Sequence, residues 1–247
     1  MLRCLILIIS IILSMADNTS FKQKQLSFER VKTAYNEKEK EVTLALINAG
    51  IRKNELEICI VAFKQEKVLE LWARSKHSKE YKLIKEYSIC TSSGTLGPKR
   101  KEGDMQVPEG FYHISHFNPE SNFYLSLGIN YPNESDKILA DKKHPGGAIY
   151  IHGNCVTIGC IPITDEWIKE LYVYAVEARN NGENQIPVSI FPCRLTDSNF
   201  TELKKNYAAN KSLLEFWKNL KQGYEFFHSH KYLPKINVIK SGAYSYQ

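Results

Sequence analysis

The chain has 247 residues, 43% hydrophobic and 24% charged, with a formal net charge of +6. This is the composition of a globular protein with a full core, and it excludes a low-complexity disordered chain. The 33 Lys and Arg are offset by 27 Asp and Glu and scattered along the sequence, which gives a solvated basic face and not the dense basic patch of a nucleic-acid binder.

Residues 1–16 read as a secretory signal peptide. Arg3 supplies the positive start, Cys4 to Met15 is an almost unbroken apolar run, and Ser14-Met15-Ala16 is a small-x-small cleavage site before Asp17. The alternative is a retained anchor, but the run falls short of the roughly 20 residues a span needs. Beyond the leader the chain keeps Cys59, Cys90, Cys155, Cys160 and Cys193. An odd number in an oxidising compartment leaves a free thiol, and the count alone assigns no disulfide.

Residues 17–55 form a helical prefix. Ser27 is placed to cap a helix carrying Phe28, Val31 and Tyr35 on one face, and Ala49-Gly50 ends it. From Leu56 the period changes to that of strands. Glu57–Phe63 and Val68–Ala73 are joined by the polar turn at residues 64–67, and Tyr81–Thr91, Phe111–Ser115 and Phe123–Ile129 follow. Short strands closed by turns predict a β-sandwich or barrel. Residues 128–147 show no period and read as a loop bordering the site. Thr164–Asn181 is an amphipathic helix whose start Thr164-Asp165-Glu166 supplies with a cap and acidic residues, and Val188–Pro192 is a return strand. Helices over 196–207 and 212–227 then form a C-terminal extension, 195–247, with a tail after Tyr232 that is either a strand or mobile.

The chemistry concentrates in residues 146–165. The run Ala148-Ile149-Tyr150-Ile151 delivers His152, Gly153-Asn154 punctuate, and Thr157-Ile158-Gly159-Cys160 follow. A thiol beside an imidazole is an activated nucleophile. Eight residues fully extended would hold the two ~26 Å apart, so the chain must double back for them to meet. Cys155 precedes Val156 in an apolar stretch and reads as a packed residue. His144 is the rival base, but it lies in a Pro-Gly-Gly loop and reads as a rim residue. The pairs His113/His116 and His228/His230 lack a third ligand at zinc spacing, so no metal is expected. Walker, G-x-G-x-x-G and G-x-S-x-G motifs are absent.

Ile151-His152-Gly153 with Thr157-Ile158-Gly159-Cys160, and upstream Pro108-Glu109-Gly110-Phe111-Tyr112, resemble the signature of the YkuD-type L,D-transpeptidases. The likeness spans residues 56–194 and is closest to the YafK-like branch, where the His-to-Cys loop is short. It implies an α+β fold, a mixed β-sandwich catalytic domain with N- and C-terminal helical flanks. It implies Cys160 as nucleophile and His152 as base. Gly159, Ile158, Gly153 and Thr157 become oxyanion or supporting residues, and Tyr150, His144 and Asn154 substrate contacts. The substrate implied is a diaminopimelate-containing peptidoglycan stem peptide, handled without cofactor in the periplasm or outside the cell. Two departures stand out: Pro162 replaces an Arg common in the family, and Ile158 replaces a His. The alternatives are hydrolysis of the same linkages, including release of a peptidoglycan-linked lipoprotein, and a non-catalytic wall-binding protein. No nucleic-acid partner and no stable membrane insertion after leader cleavage are expected.

Overall fold

In the computed structural model, which describes residues 19–247, the chain enters through α1 (Phe21–Gln25) and α2 (Glu29–Asn48). Ser20 caps α1 through a reciprocal box with Gln23. Ser27 does not cap α2 as expected: its hydroxyl donates back to the Lys24 carbonyl, and Phe28 holds the cap position without a side-chain bond. Val31, Ala34, Tyr35, Lys38, Val42 and Leu46 form the buried stripe of α2. Gly50, at φ +71°, takes the left-handed stop. The expected leader lies outside the described residues.

The strands β1 (Leu56–Phe63), β2 (Val68–Ser75) and β3 (Lys82–Ser88) form a meander. Next come β4 (Gly110–Asn118), β5 (Ser126–Ile129), α3 (Glu134–Leu139), β6 (Tyr150–His152) and β7 (Ile161–Pro162). They lead into α4 (Thr164–Asn180), β8 (Pro187–Phe191), α5 (Asp197–Asn206) and α6 (Lys211–His230). One mixed sheet runs β3-β2-β1-β8-β4-β5-β6-β7. The α+β class and its helical flanks hold. The layers expected of the sandwich are one curled sheet, continuous through β4, whose first half pairs with β8 and second half with β5. The curl brings the sheet's two ends together: past β3, the Cys90 N–H donates to the Pro162 carbonyl of β7 at 3.1 Å.

β1 shows why its apolar run does not alternate with polar residues. Ile58, Ile60 and Ala62 join a core with α2 and α4, while Cys59, Val61 and Phe63 join a second core with Trp217, Leu220 and Tyr224 of α6. A strand covered on both faces has no solvent side to mark. Just past β1, buried Lys64 pairs with Glu109 at 3.0 Å, and the other Glu109 oxygen accepts the Trp217 indole N–H at 2.7 Å. This carboxylate ties the Pro108-Glu109-Gly110 segment to α6.

One expectation is corrected here, and one alternative is decided. The segment 128–147 contains α3, too short to show a period; its signal was the capping box between Asn133 and Asp136. The tail is an ordered hairpin, β9 (Ile236–Val238) with β10 (Tyr244–Tyr246). It is fastened by two bonds between Asn219 and the Tyr244 backbone at 2.8 and 2.9 Å. No helix among the described residues is long and apolar enough to cross a membrane.

Candidate active site

His152 ends β6 and is 1% exposed, its ring 4.5 Å from that of Phe123 between centroids. Its Nδ1 lies 2.5 Å from the Gly153 carbonyl oxygen. A carbonyl only accepts, so Nδ1 carries the proton and the neutral ring keeps Nε2 as its basic lone pair. Burial depresses the His152 pKa below its ordinary value, with the Gly153 carbonyl opposing. The group is therefore a neutral base over the neutral pH range.

The turn after His152 needs Gly153. A Cβ there would fall 2.4 Å from Asp165 Oδ1 and 2.7 Å from the Phe123 carbonyl. Asn154, at φ +60°, donates its N–H to Asp165 Oδ1 at 2.6 Å, accepts the Thr164 N–H on its carbonyl at 3.2 Å, and accepts the Cys155 N–H on its side chain at 2.6 Å. Asn154 thus shapes the turn, and Asp165, from the first turn of α4, holds it. Thr164 is not the cap the sequence suggested; Ile163 holds the N-cap position without a side-chain bond.

The doubling back of the chain is the β6–β7 parallel ladder, with Ile151 opposite Ile161 and His152 opposite Pro162. Extended by one residue, that register sets Cys160 beside Tyr150, on the face that Tyr150 shares with His152. The Cys160 thiol, partly exposed, lies 3.6 Å from the Ala148 carbonyl. Burial raises its pKa, while the Tyr150 N–H and the charge of Lys99 pull it down. Lys99 is itself buried and bound to Asp104 at 2.6 Å. Neither Lys99 nor Asp165 was singled out in the sequence: Lys99 fell among the scattered charges of the solvated basic face, and Asp165 read as a helix-start charge.

The Thr157 hydroxyl donates to the Cys160 carbonyl at 2.8 Å and accepts the Gly159 N–H at 3.0 Å. The Gly159 N–H, expected to face a substrate oxygen, is therefore bonded to the Thr157 hydroxyl. Gly159 sits at φ +139°, and a Cβ there would lie 3.1 Å from the Gln106 carbonyl. The upstream motif region thus abuts the cysteine turn. Ile158 is 78% exposed on the outside of that turn. His144 is exposed, with its N–H on Asp141 at 2.8 Å and its ring 4.0 Å from Glu102.

Cys155 is not a packed residue. It is exposed and bridged to Cys90, whose Cα lies 5.7 Å away. The curl of the sheet brings 65 residues of separation together, which no local pattern around Cys155 could signal. Cys59 and Cys193 are buried thiols, and Cys160 is the free cysteine with access to solvent among the described residues. These residues contain no group of three side chains able to hold a metal ion.

Residues 58–190 match the YkuD family, the L,D-transpeptidase catalytic domain. YafK of Escherichia coli (strain K12), which carries a provisional L,D-transpeptidase name, is 35% identical over 184 residues, 74% of this chain and 71% of that protein. Among solved structures, the helical cell shape determining protein Pgp2 of Campylobacter jejuni is similar with a TM-score of 0.45 and 18% identity, over 75% of this chain and 73% of that one. Bd1075 of Bdellovibrio bacteriovorus gives 0.41 and 23%, over 68% and 59%.

Proposed function

The chain belongs to the YkuD family of L,D-transpeptidase catalytic domains, and from that premise we propose that it is an exported cysteine acyltransferase of peptidoglycan stem peptides. The single observation that carries the reading is the His152 ring, held by the Gly153 carbonyl in the tautomer that leaves Nε2 basic, on the strand face that Cys160 adjoins.

Burial keeps both members of the pair neutral at rest. The thiol proton therefore passes to His152 Nε2 as sulfur attacks, and is not given up beforehand. The attacked bond follows the diaminopimelate residue of the stem. With the Gly159 N–H committed to Thr157, the Cys160 N–H is the local donor to the developing oxyanion. His152 returns its proton to the leaving amine, and a thioester remains on Cys160. An incoming amine then attacks the thioester, with His152 taking its proton. Attack by water is the second reading: buried Pro162 offers no charge where the family commonly has Arg, so a standard cross-linker's carboxylate contact is missing from that place. The substrate's setting and the leader over residues 1–16 both point to action in the periplasm or outside the cell.

The test is incubation of the leader-free protein with purified tetrapeptide muropeptides and with lipoprotein-bearing sacculi, read by mass spectrometry. New dimers joined through two diaminopimelates establish transfer. Released lipoprotein or free tripeptide without dimers establishes hydrolysis. No change on either substrate, with Cys160 alkylatable, refutes the peptidoglycan assignment.

A further inference from the structure

A cavity of about 510 Å³ lies between the sheet and the C-terminal hairpin. At one end these layers are clamped: a Cβ on Gly223 of α6 would fall 2.6 Å from Phe111 of β4 and 2.6 Å from Tyr246 of β10. Past Phe111 the hairpin stands off the sheet and leaves a cleft with two unlike walls. The hairpin side is apolar, made of Leu233, Pro234, Ile236 and Val238. The sheet side carries His113, Asn130, Gln185 and Ser189. His113 and Ser189 share one face, since Phe111 lies opposite Ser189 and His113 opposite Pro187 in the β4–β8 ladder.

The polar groups of the sheet side are unspent. Ser189 is 6% exposed, yet its hydroxyl has no hydrogen-bond partner among the described residues. The His113 ring has none either. His116, on the same strand, shows the contrast. Its ring lies on Gly128, where a Cβ would fall 2.0 Å from Cε1, with Ser115 Oγ 3.0 Å from Nδ1 and Tyr150 Oη 3.2 Å from Nε2. Asn130 accepts the His113 N–H on Oδ1 at 2.8 Å, which fixes the amide and leaves Nδ2 as a free donor. The exposed Gln185 amide is free at both ends among the described residues. Buried polar groups are normally paired, so a row of unpaired ones on a cavity wall calls for a ligand.

The lining selects the ligand class. Glu134 is its one formal charge, so an anion finds no cation there. Burial lowers the His113 pKa below its ordinary value, so that ring is neutral too. An extended peptide finds no open strand edge, because Asn130 and Asn133 occupy the β4 backbone beyond β5. They bond the His113 N–H at 2.8 Å, the His113 carbonyl at 3.1 Å and the Phe111 carbonyl at 2.9 Å. What fits is a neutral molecule with one apolar face and a rim of hydroxyl and amide groups, which is the chemistry of an N-acetylated pyranose.

We propose that this cleft binds a neutral N-acetylamino sugar of the glycan to which the stem peptide is joined. This rests on the stem-peptide reading above. The sugar's carbon face lies on Leu233, Ile236 and Val238, and its hydroxyl and acetamido groups meet His113, Asn130, Gln185 and Ser189. The placement suits one substrate spanning both regions. Asn130, Asn133 and Glu134 line this cleft and also a groove of about 690 Å³ that reaches Ala148 and Tyr150, beside the Cys160 thiol. A peptide leaving a sugar in the cleft therefore turns one corner to arrive at the nucleophile.

The binding test titrates the leader-free protein with tri-N-acetylchitotriose, and with cellotriose as the sugar lacking acetamido groups, followed by NMR. The expected result is saturable chitotriose binding with shifts confined to the cleft, and weaker binding of cellotriose. Gln185→Ala and His113→Ala should each weaken chitotriose binding about three- to tenfold, the loss of one hydrogen bond. Gln185 is exposed, so its replacement reads binding without disturbing the core. A kinetic arm compares the disaccharide tetrapeptide with the sugar-free tetrapeptide as donor. The disaccharide donor should have the lower KM, and Gln185→Ala should raise that KM toward the sugar-free value. Absent chitotriose binding, shifts outside the cleft, equal affinity for cellotriose, indifference to both variants, or equal KM for the two donors overturns the inference and leaves the thioester reading intact. Sugar-free tetrapeptide seated in the cleft overturns it as well. If neither donor turns over, the stem-peptide reading fails, and the chitotriose titration decides the cleft alone.

Discussion

Asp165 reaches from the first turn of α4 to take the Asn154 N–H at 2.6 Å, and so fixes the turn that begins at the catalytic candidate His152. Removing that acceptor frees the turn without opening the core. Asp165→Ala should cut turnover about tenfold, the scale of one charge-assisted hydrogen bond, with kcat carrying the loss and KM little changed. Circular dichroism should show the fold retained. Gly153→Ala should do worse, since its methyl would collide with the same carboxylate.

The pair itself has a sharper test. Cys160→Ser should abolish turnover, and His152→Ala should slow it at least ~10²-fold, the usual scale for losing a general base. His144→Ala should be mild, as its exposed ring faces Glu102 across 4.0 Å. A crippled His144→Ala beside a mild His152→Ala would reverse the assignment. Limiting iodoacetamide should label Cys160, because Cys59 and Cys193 are buried and Cys90 and Cys155 are bridged.

The pH behaviour follows from the two shifts. The Cys160 pKa is raised by burial, so its alkylation should climb steadily above the ordinary thiol value of ~8.5, with no thiolate plateau at neutral pH. The His152 pKa is depressed by burial, so the acid limb of turnover should fall below the ordinary imidazole value of ~6.5. A stopped-flow alkylation profile with a plateau at pH 6–7 would show a preformed thiolate–imidazolium pair instead.

The Cys90–Cys155 bridge closes a loop of 65 residues and lands inside the His-to-Cys segment. By the chain-entropy account a loop of that length is stabilised by about 4 kcal/mol. The Cys90→Ser/Cys155→Ser protein should melt at a lower temperature. It should also lose turnover at temperatures where it is still folded, because the turn bearing Gly159 and Cys160 is no longer held to the far end of the sheet. Reductant should mimic this in the wild type and have no effect on the double variant.

Glu109 offers a test of the scaffold. It is fully buried, paired with Lys64 and bonded to Trp217. Glu109→Ala strands a buried ammonium and should cost about 3–5 kcal/mol of stability in denaturant unfolding, while Glu109→Gln, which fills the same space and keeps one of the two acceptor oxygens, should cost less.

The order of elements was legible because it is written locally. The apolar stripe of α2, the strands of the meander and the face of α4 each carry their own period, and the motif at His152 and Cys160 carries its own chemistry. What was missed was either too short or too long in range for such a signal. α3 has fewer than two turns, so only its Asn133–Asp136 cap marks it. Ser27 and Thr164 have the composition of caps, but the tertiary path gives them other roles. The Cys90–Cys155 bridge, the hold of Asp165 on Asn154, the diversion of the Gly159 N–H to Thr157 and the seating of His116 on Gly128 all depend on how the sheet curls. By itself the sequence determined which residues carry reactive groups and which segments are helix or strand. Only the tertiary structure decided which hydrogen bonds those groups have already spent, because a donor's partner is set by proximity after folding and not by its neighbours along the chain.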